Sequence, residues 1–130
     1  MHLDQIAAYL ATQGCGTVGT SLFIGFFPPS PDSAICIYDA GGTPAPLGAA
    51  VPWAEHRIEI RVRAENYAAA MSLAFKALAA LDHKAGVVMG TSTSEYAKPD
   101  APPFLLMRDD QRRVIVMLRA TVALKRNALY

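Results

Sequence analysis

The chain has 130 residues, 52% of them hydrophobic and 18% charged, with 12 basic against 11 acidic side chains and a formal net charge of +1. That length and apolar content set a single domain, residues 1–130, with a genuine core, and exclude wholesale disorder. The charge balance argues against nucleic-acid binding by phosphate neutralisation and against an anionic membrane surface, and no apolar run reaches the roughly 18 residues of a membrane span.

Leu3 to Gln13 reads as a short amphipathic helix, with Leu3, Ile6, Ala7 and Leu10 on one face of a 3.6-residue period. The start, Met1-His2-Leu3-Asp4-Gln5, lacks the basic and apolar regions of a signal peptide. Gly14-Cys15-Gly16 ends the helix. Ser21 to Phe27 and Ala34 to Tyr38, rich in aromatic and β-branched residues, read as two strands. Pro28, Pro29, Pro31 and Asp32 stiffen the turn between them, so a hairpin is expected.

Residues 40–55 carry Gly41, Gly42, Pro44, Pro46, Gly48 and Pro52 and read as a long loop holding Trp53, the only tryptophan. His56 to Ala64 is the cleanest strand. Ile58, Ile60 and Val62 face one way, and Arg57, Glu59, Arg61 and Arg63 the other. Asn66 to about Lys84 is the longest helix, with Tyr67, Met71, Ala74, Leu78 and Leu81 as its expected core stripe and Gly86 as its cap. Its other apolar positions predict cover on more than one side.

Val87–Met89 reads as a short strand, and polar, proline-rich residues 90–103 as a second long loop. Phe104–Met107 and Val114–Lys125 read as a hairpin turning at residues 109–112. On the last strand Val114, Val116, Leu118, Ala120, Val122 and Leu124 alternate without a charge, which throws Ile115, Met117 and Arg119 to the opposite face. The order predicts an α+β domain: a largely antiparallel sheet, with mixed pairing around the long helix allowed, and two helices packed on one face.

Catalytic and metal templates fail. His2, His56, His83, Cys15 and Cys36 are scattered singly, without zinc-ligand spacing. Two cysteines without a CxxC read as buried or idle thiols of a reducing cytosol; the alternative, a disulfide, would need an oxidising compartment that nothing in the sequence implies. Cys36 sits mid-strand, where it is expected to be partly exposed and to fill a small packing role. Asp109 and Asp110 are ordinary turn residues. Gly14, Gly16 and Gly19 spell GxGxxG, but after a helix and before a strand, the wrong context for a dinucleotide site. No catalytic residue, cofactor or metal is expected.

Several stretches stand in a telling order: Gly16-Thr17-Val18-Gly19, then Pro28-Pro29-Ser30-Pro31-Asp32, then Ala34-Ile35-Cys36-Ile37-Tyr38-Asp39-Ala40-Gly41-Gly42. Ile60-Arg61-Val62-Arg63 follows, and Tyr67-Ala68-Ala69-Ala70 opens the long helix. Over most of its length the chain resembles minor capsid or tail terminator proteins of long-tailed bacteriophages, departing from that pattern at residues 43–54 and 90–103. The resemblance implies a structural virion protein and no enzyme. Its copies would form a ring, typically a hexamer, that caps the finished tail tube, ends polymerisation and joins the tail to the head connector. It implies tail tube protein, connector proteins and further copies of itself as partners, a place at the head-proximal end of the tail, and assembly in the host cytoplasm.

The low charge and the over-apolar helix, read from the residues alone, also predict a subunit incomplete by itself. Ile115 and Met117, flanked by Arg119, are expected as an exposed apolar interface. The face of Arg57, Glu59, Arg61 and Arg63 is either solvated or a polar subunit contact. Trp53 is either an interface anchor or a lid on the core. Two other classes stay open: a different phage neck or head-completion protein, and a small enzyme or ligand-binding domain.

Overall fold

Two long antiparallel strands form the axis of the computed structural model, which describes residues 2–43 and 53–126. In chain order the elements are α1 (His2–Thr12), β1 (Leu22–Ile24), β2 (Ala34–Thr43), β3 (Trp53–Ala64), α2 (Tyr67–Leu81), β4 (Val88–Met89), β5 (Ser92–Pro99), β6 (Phe104–Arg108) and β7 (Val114–Arg126). The strands make one sheet in the order β1-β2-β3-β7-β5-β4, with β6 beside the first part of β7. Every pairing is antiparallel except β1 with β2. The fold is α+β with a mostly antiparallel, mixed sheet.

Alternation builds the core. Ile35 and Ile37 of β2, Ile58, Ile60 and Val62 of β3, and the even-numbered residues from Val114 to Leu124 of β7 are buried in one cluster with Ile6 and Leu10 of α1 and Ala70, Ala74, Ala77 and Ala80 of α2. Helix α1 ends where glycine was expected to end it. The Gly14 N–H bonds the Ala11 carbonyl at 3.1 Å and the Cys15 N–H that of Leu10 at 3.0 Å, with Gly14 at φ +81, a Schellman motif that a β-carbon would strain.

Helix α2 starts at an N-cap, the Asn66 side chain accepting from the Ala69 N–H at 2.8 Å. Its core face keeps part of the expected stripe, Ala74 and Leu81, with Met71 and Leu78 at its margin, and leaves out Tyr67. Ala70, Ala74, Ala77, Ala80 and Leu81 are buried, whereas Tyr67 is half exposed and Met71 and Leu78 are only partly covered. Small side chains let the helix axis approach the sheet, and the large ones rotate to its flank. The helix also stops at Leu81, well before Gly86: Asp82 turns extended at φ −76 and ψ 113, and His83 follows in a left-handed conformation at φ 52.

Three other expectations are corrected. The first two strands are no hairpin: β1 runs parallel to β2, Leu22 beside Ile35 and Ile24 beside Ile37. Gly25, at φ +83, donates its N–H to the Ile37 carbonyl at 2.9 Å and turns the chain off β1, so residues 26–33 return it to the start of β2 instead of folding it back. The loop expected over residues 90–103 is largely β5. Its buried positions are Ser92, Ser94 and Ala97, with a bulge between Ser94 and Tyr96 that breaks the alternation. The loop expected over residues 40–55 is strand at both ends. Strand β2 continues through a bulge to Thr43, Asp39 Oδ1 accepting from the Gly41 N–H at 2.9 Å, and Trp53 already belongs to β3. Residues 44–52 lie outside the described residues.

Candidate functional site

Register brings seven of the eight sequence-predicted site residues onto one patch. Across β3 and β7, Arg63 lies beside Ile115, Arg61 beside Met117, Glu59 beside Arg119 and Arg57 beside Thr121. Directly opposite residues share a face, here the one turned away from the core alternation. Trp53 is at the far end of β3, beside Lys125, and its side chain lies outside the described residues.

Ile115 and Met117 face as the alternation requires, but they are not bare. Their exposures are 8% and 4%. Strand β6 lies beside them, Met107 next to Ile115 and Phe104 next to Met117, and the chain between β1 and β2 is tied over Arg63. The expected exposed apolar pair is therefore covered by its own chain.

Two buried arginines make that tie. Arg63 Nη2 donates to the Pro31 carbonyl at 2.6 Å and Nε to that of Asp32 at 3.4 Å, and its guanidinium lies 4.8 Å from the centre of the Phe27 ring. Arg113 Nη1 donates to the Pro29 carbonyl at 2.6 Å, and Nε to Asp109 Oδ2 at 2.7 Å. Asp32 Oδ1 lies 3.3 Å from Arg113 Nη1. Burial, then the neighbouring charge of Arg113, push the Arg63 guanidinium below its ordinary value. Burial by itself would raise the Asp109 carboxyl. The hydrogen bonds from the backbone and side chain of Arg113 and from the Gln111 N–H outweigh it and hold the carboxyl below its usual range. Arg113 was missed in the sequence; its only signal is the Asp109-to-Arg113 spacing across a turn.

Farther along the patch the charges pair. Glu59 Oε2 accepts from Arg61 Nε at 2.7 Å, and Arg119 Nε lies 3.7 Å from Glu59 Oε1. Arg61 also stacks over Tyr38 at 4.8 Å. Burial, then hydrogen bonding to Cys36, push the Tyr38 hydroxyl up to about 12. Arg57 and Arg119 are exposed, and with Ala40, Ile58, Glu59 and Asp100 they line a hollow of about 280 Å³. Asp100 is already engaged by the Thr121 hydroxyl at 2.9 Å.

The cysteine beside the patch is not set up as a nucleophile. Cys36 is buried rather than partly exposed, its Sγ donates to the Phe26 carbonyl at 3.1 Å, and burial raises its thiol, which disfavours the nucleophilic thiolate. Among the described residues no three His, Cys, Asp or Glu side chains group as a metal site would need, and no helix is long and apolar enough to cross a membrane.

Large apolar side chains are instead exposed elsewhere: Val18 and Phe26 near β1, Tyr67 and Phe75 on α2, Val88 on β4, and Phe104, Leu105 and Met107 on β6. The unbroken run Phe104-Leu105-Leu106-Met107 was the available signal for β6, since a strand without alternation has no polar face for solvent.

No curated protein matches the chain. A solved chain from the virion of a native gene transfer agent particle shares the fold, with a TM-score of 0.59 and 17% identity over 93% of each chain. The sequence profile of the bacteriophage tail terminator proteins matches residues 9–126. The chain belongs to the bacteriophage tail terminator family, and is a structural protein of the phage tail.

Proposed function

We propose that copies of this protein form a closed ring, a hexamer, on the head-proximal end of a finished tail tube. There the ring stops tube polymerisation and presents a face to the head connector proteins. Assembly takes place in the host cytoplasm, and the protein carries out no catalysis. The observation that carries this reading is the family match over residues 9–126. The exposed apolar side chains of a charge-poor subunit support it, since a free monomer has little reason to keep them bare.

Both helices, sharing one core cluster, cover one face of the sheet on this reading, which leaves the Arg57–Glu59–Arg61–Arg119 face for partners. Arg57 and Arg119 would then set orientation and partner choice, with Trp53 at the far end of the same strand as a further contact. Ile115, Met117 and Arg63 support the contact from beneath.

The mass of the purified protein, alone and with tail tube protein, tests the proposal. Six copies on a tube end support it. Twelve copies bound to a portal-side connector and none to the tube would assign the protein to the neck instead, a place that likeness to a whole virion particle leaves open.

A further inference from the structure

One cross-section of the sheet runs five strands wide with its two edges in line. Leu22, Ile35, Val62, Val116 and Leu105 stand abreast, and so do Phe23, Cys36, Arg61, Met117 and Phe104. Its edges, β1 and β6, are four strand spacings apart along the sheet.

Both edges are apolar. On β6, Phe104, Leu105 and Met107 are 43%, 49% and 50% exposed, and no described strand pairs with its outer side. At β1, a bridge to Leu22 sets Val18 along the outer edge, and Phe26 packs its ring 6.3 Å from that of Phe23; Val18 and Phe26 are 48% and 62% exposed. An unpaired strand with exposed apolar residues on both faces is a strong invitation to association.

We infer that β6 of one copy seats against the Val18–Phe23–Phe26 ledge of the next copy, so that the chain assembles head to tail. The contact deepens the ring reading above and rests on it only for the self-association. Three observations select the occupant. The segments of this chain outside the described residues attach far away: residues 44–52 and 127–130 adjoin the Trp53–Lys125 end of the sheet. That end is about 30 Å along the strands from Met117, whereas nine residues going out and back reach about 17 Å and four reach about 14 Å. The two edges also match in their aromatic row. Phe104 lies in the row of Phe23, whose ring packs on the exposed Phe26, so an edge-to-edge neighbour sets aromatic beside aromatic, while Leu22, in the row of Leu105, is buried and takes no part.

Finally, pairing β6 with β6 about a two-fold axis would leave the ledge bare, whereas head-to-tail contact covers both edges in every copy. The five exposed side chains hold about 100 Å² each, so one contact buries about 500 Å² from them, half of what a small stable interface needs before its polar rim is added. Side chains make the contact, because the outward backbone groups of Leu22 already bond Thr17 and Gly19 at 3.0 and 2.9 Å.

The test uses two full-length variants, Leu105→Glu with an altered β6 and Phe26→Glu with an altered ledge. Each, checked for wild-type melting, is expected to stay monomeric at concentrations at least about tenfold above those at which the wild type associates. Mixed in equal amounts they are expected to form a one-to-one dimer that grows no further, since only one intact contact is available. Met107→Glu replaces Leu105→Glu if the latter unfolds. Phe26→Glu assembling like the wild type would overturn the proposal in favour of β6 pairing with itself. A β6 variant that assembles normally would overturn it, as would a wild type that stays monomeric. Self-association is read on this protein alone and tube capping with tube protein present, so either idea can fail without the other.

Discussion

Arg113 reaches three parts of the chain at once: its own turn through Asp109, the Pro29 carbonyl, and the Asp32 carboxylate. Removing it takes the side-chain donor from the half-buried Asp109 carboxylate and from the Pro29 carbonyl, and empties the space that the buried guanidinium fills. Arg113→Ala should therefore destabilise the fold by about 2–4 kcal/mol in denaturant titration, and a loss under about 0.5 kcal/mol would show the tie to be ornamental. The partner carboxyl makes this dependent on pH. Asp109 titrates lower in the folded chain than the usual unfolded value of about 3.9, so its contribution is present above that pH and is lost as pH falls through the lower folded value. Asp109→Asn should flatten the loss of stability below about pH 4. An unchanged acid limb would contradict the assignment. The turn at Asp109 was readable, because aspartate bonds its own backbone, here the Gln111 and Arg113 N–H groups at 3.0 and 2.8 Å. The partners of Arg113 beyond that turn were not, since they come from Pro29 and Asp32, distant in sequence.

Strands with clean alternation were legible as elements. In β3 and β7 each residue's side is set by a period of two, and those strands emerged with their core faces correct. Strand β5 was hidden because serine and alanine occupy its buried positions, and small polar residues near prolines imitate a loop. The parallel partner of β1 could not be seen from neighbours in sequence, because the direction is set at Gly25. Helix α2 was legible in part, at Ala74 and Leu81; large apolar residues outweigh alanines in any hydrophobic count, whereas close packing against the sheet also buries Ala70, Ala77 and Ala80. Ala74→Leu should accordingly destabilise by about 1–3 kcal/mol through overpacking, while Phe75→Ser on the exposed flank should change stability by less than about 0.5 kcal/mol. The reverse ranking would restore the large-residue stripe as core. Strand β6 likewise changes the expectation for Met117. Exposed, it would tolerate a charge; covered as it is, Met117→Lys should lower stability by about 3 kcal/mol or more, and a variant melting like the wild type would show that β6 does not cover it.

At the scale of the whole molecule the site was legible only as a class. Low charge and a surplus of apolar residues predicted an incomplete subunit, and the surplus is found at both edges of the sheet and on the flank of α2 rather than on Ile115 and Met117. Alternation assigns a side chain to a face, but only the tertiary pairing of β6 and the arginine ties decide whether that face is open. The central claim is that this surface ends a tail tube. It is tested most directly by polymerising tail tube protein with and without this protein and measuring tube lengths by electron microscopy. Shorter tubes carrying a ring at one end are expected, with tube ends no longer extending once the ring is bound. Tubes of unchanged length with bare, still growing ends would contradict it.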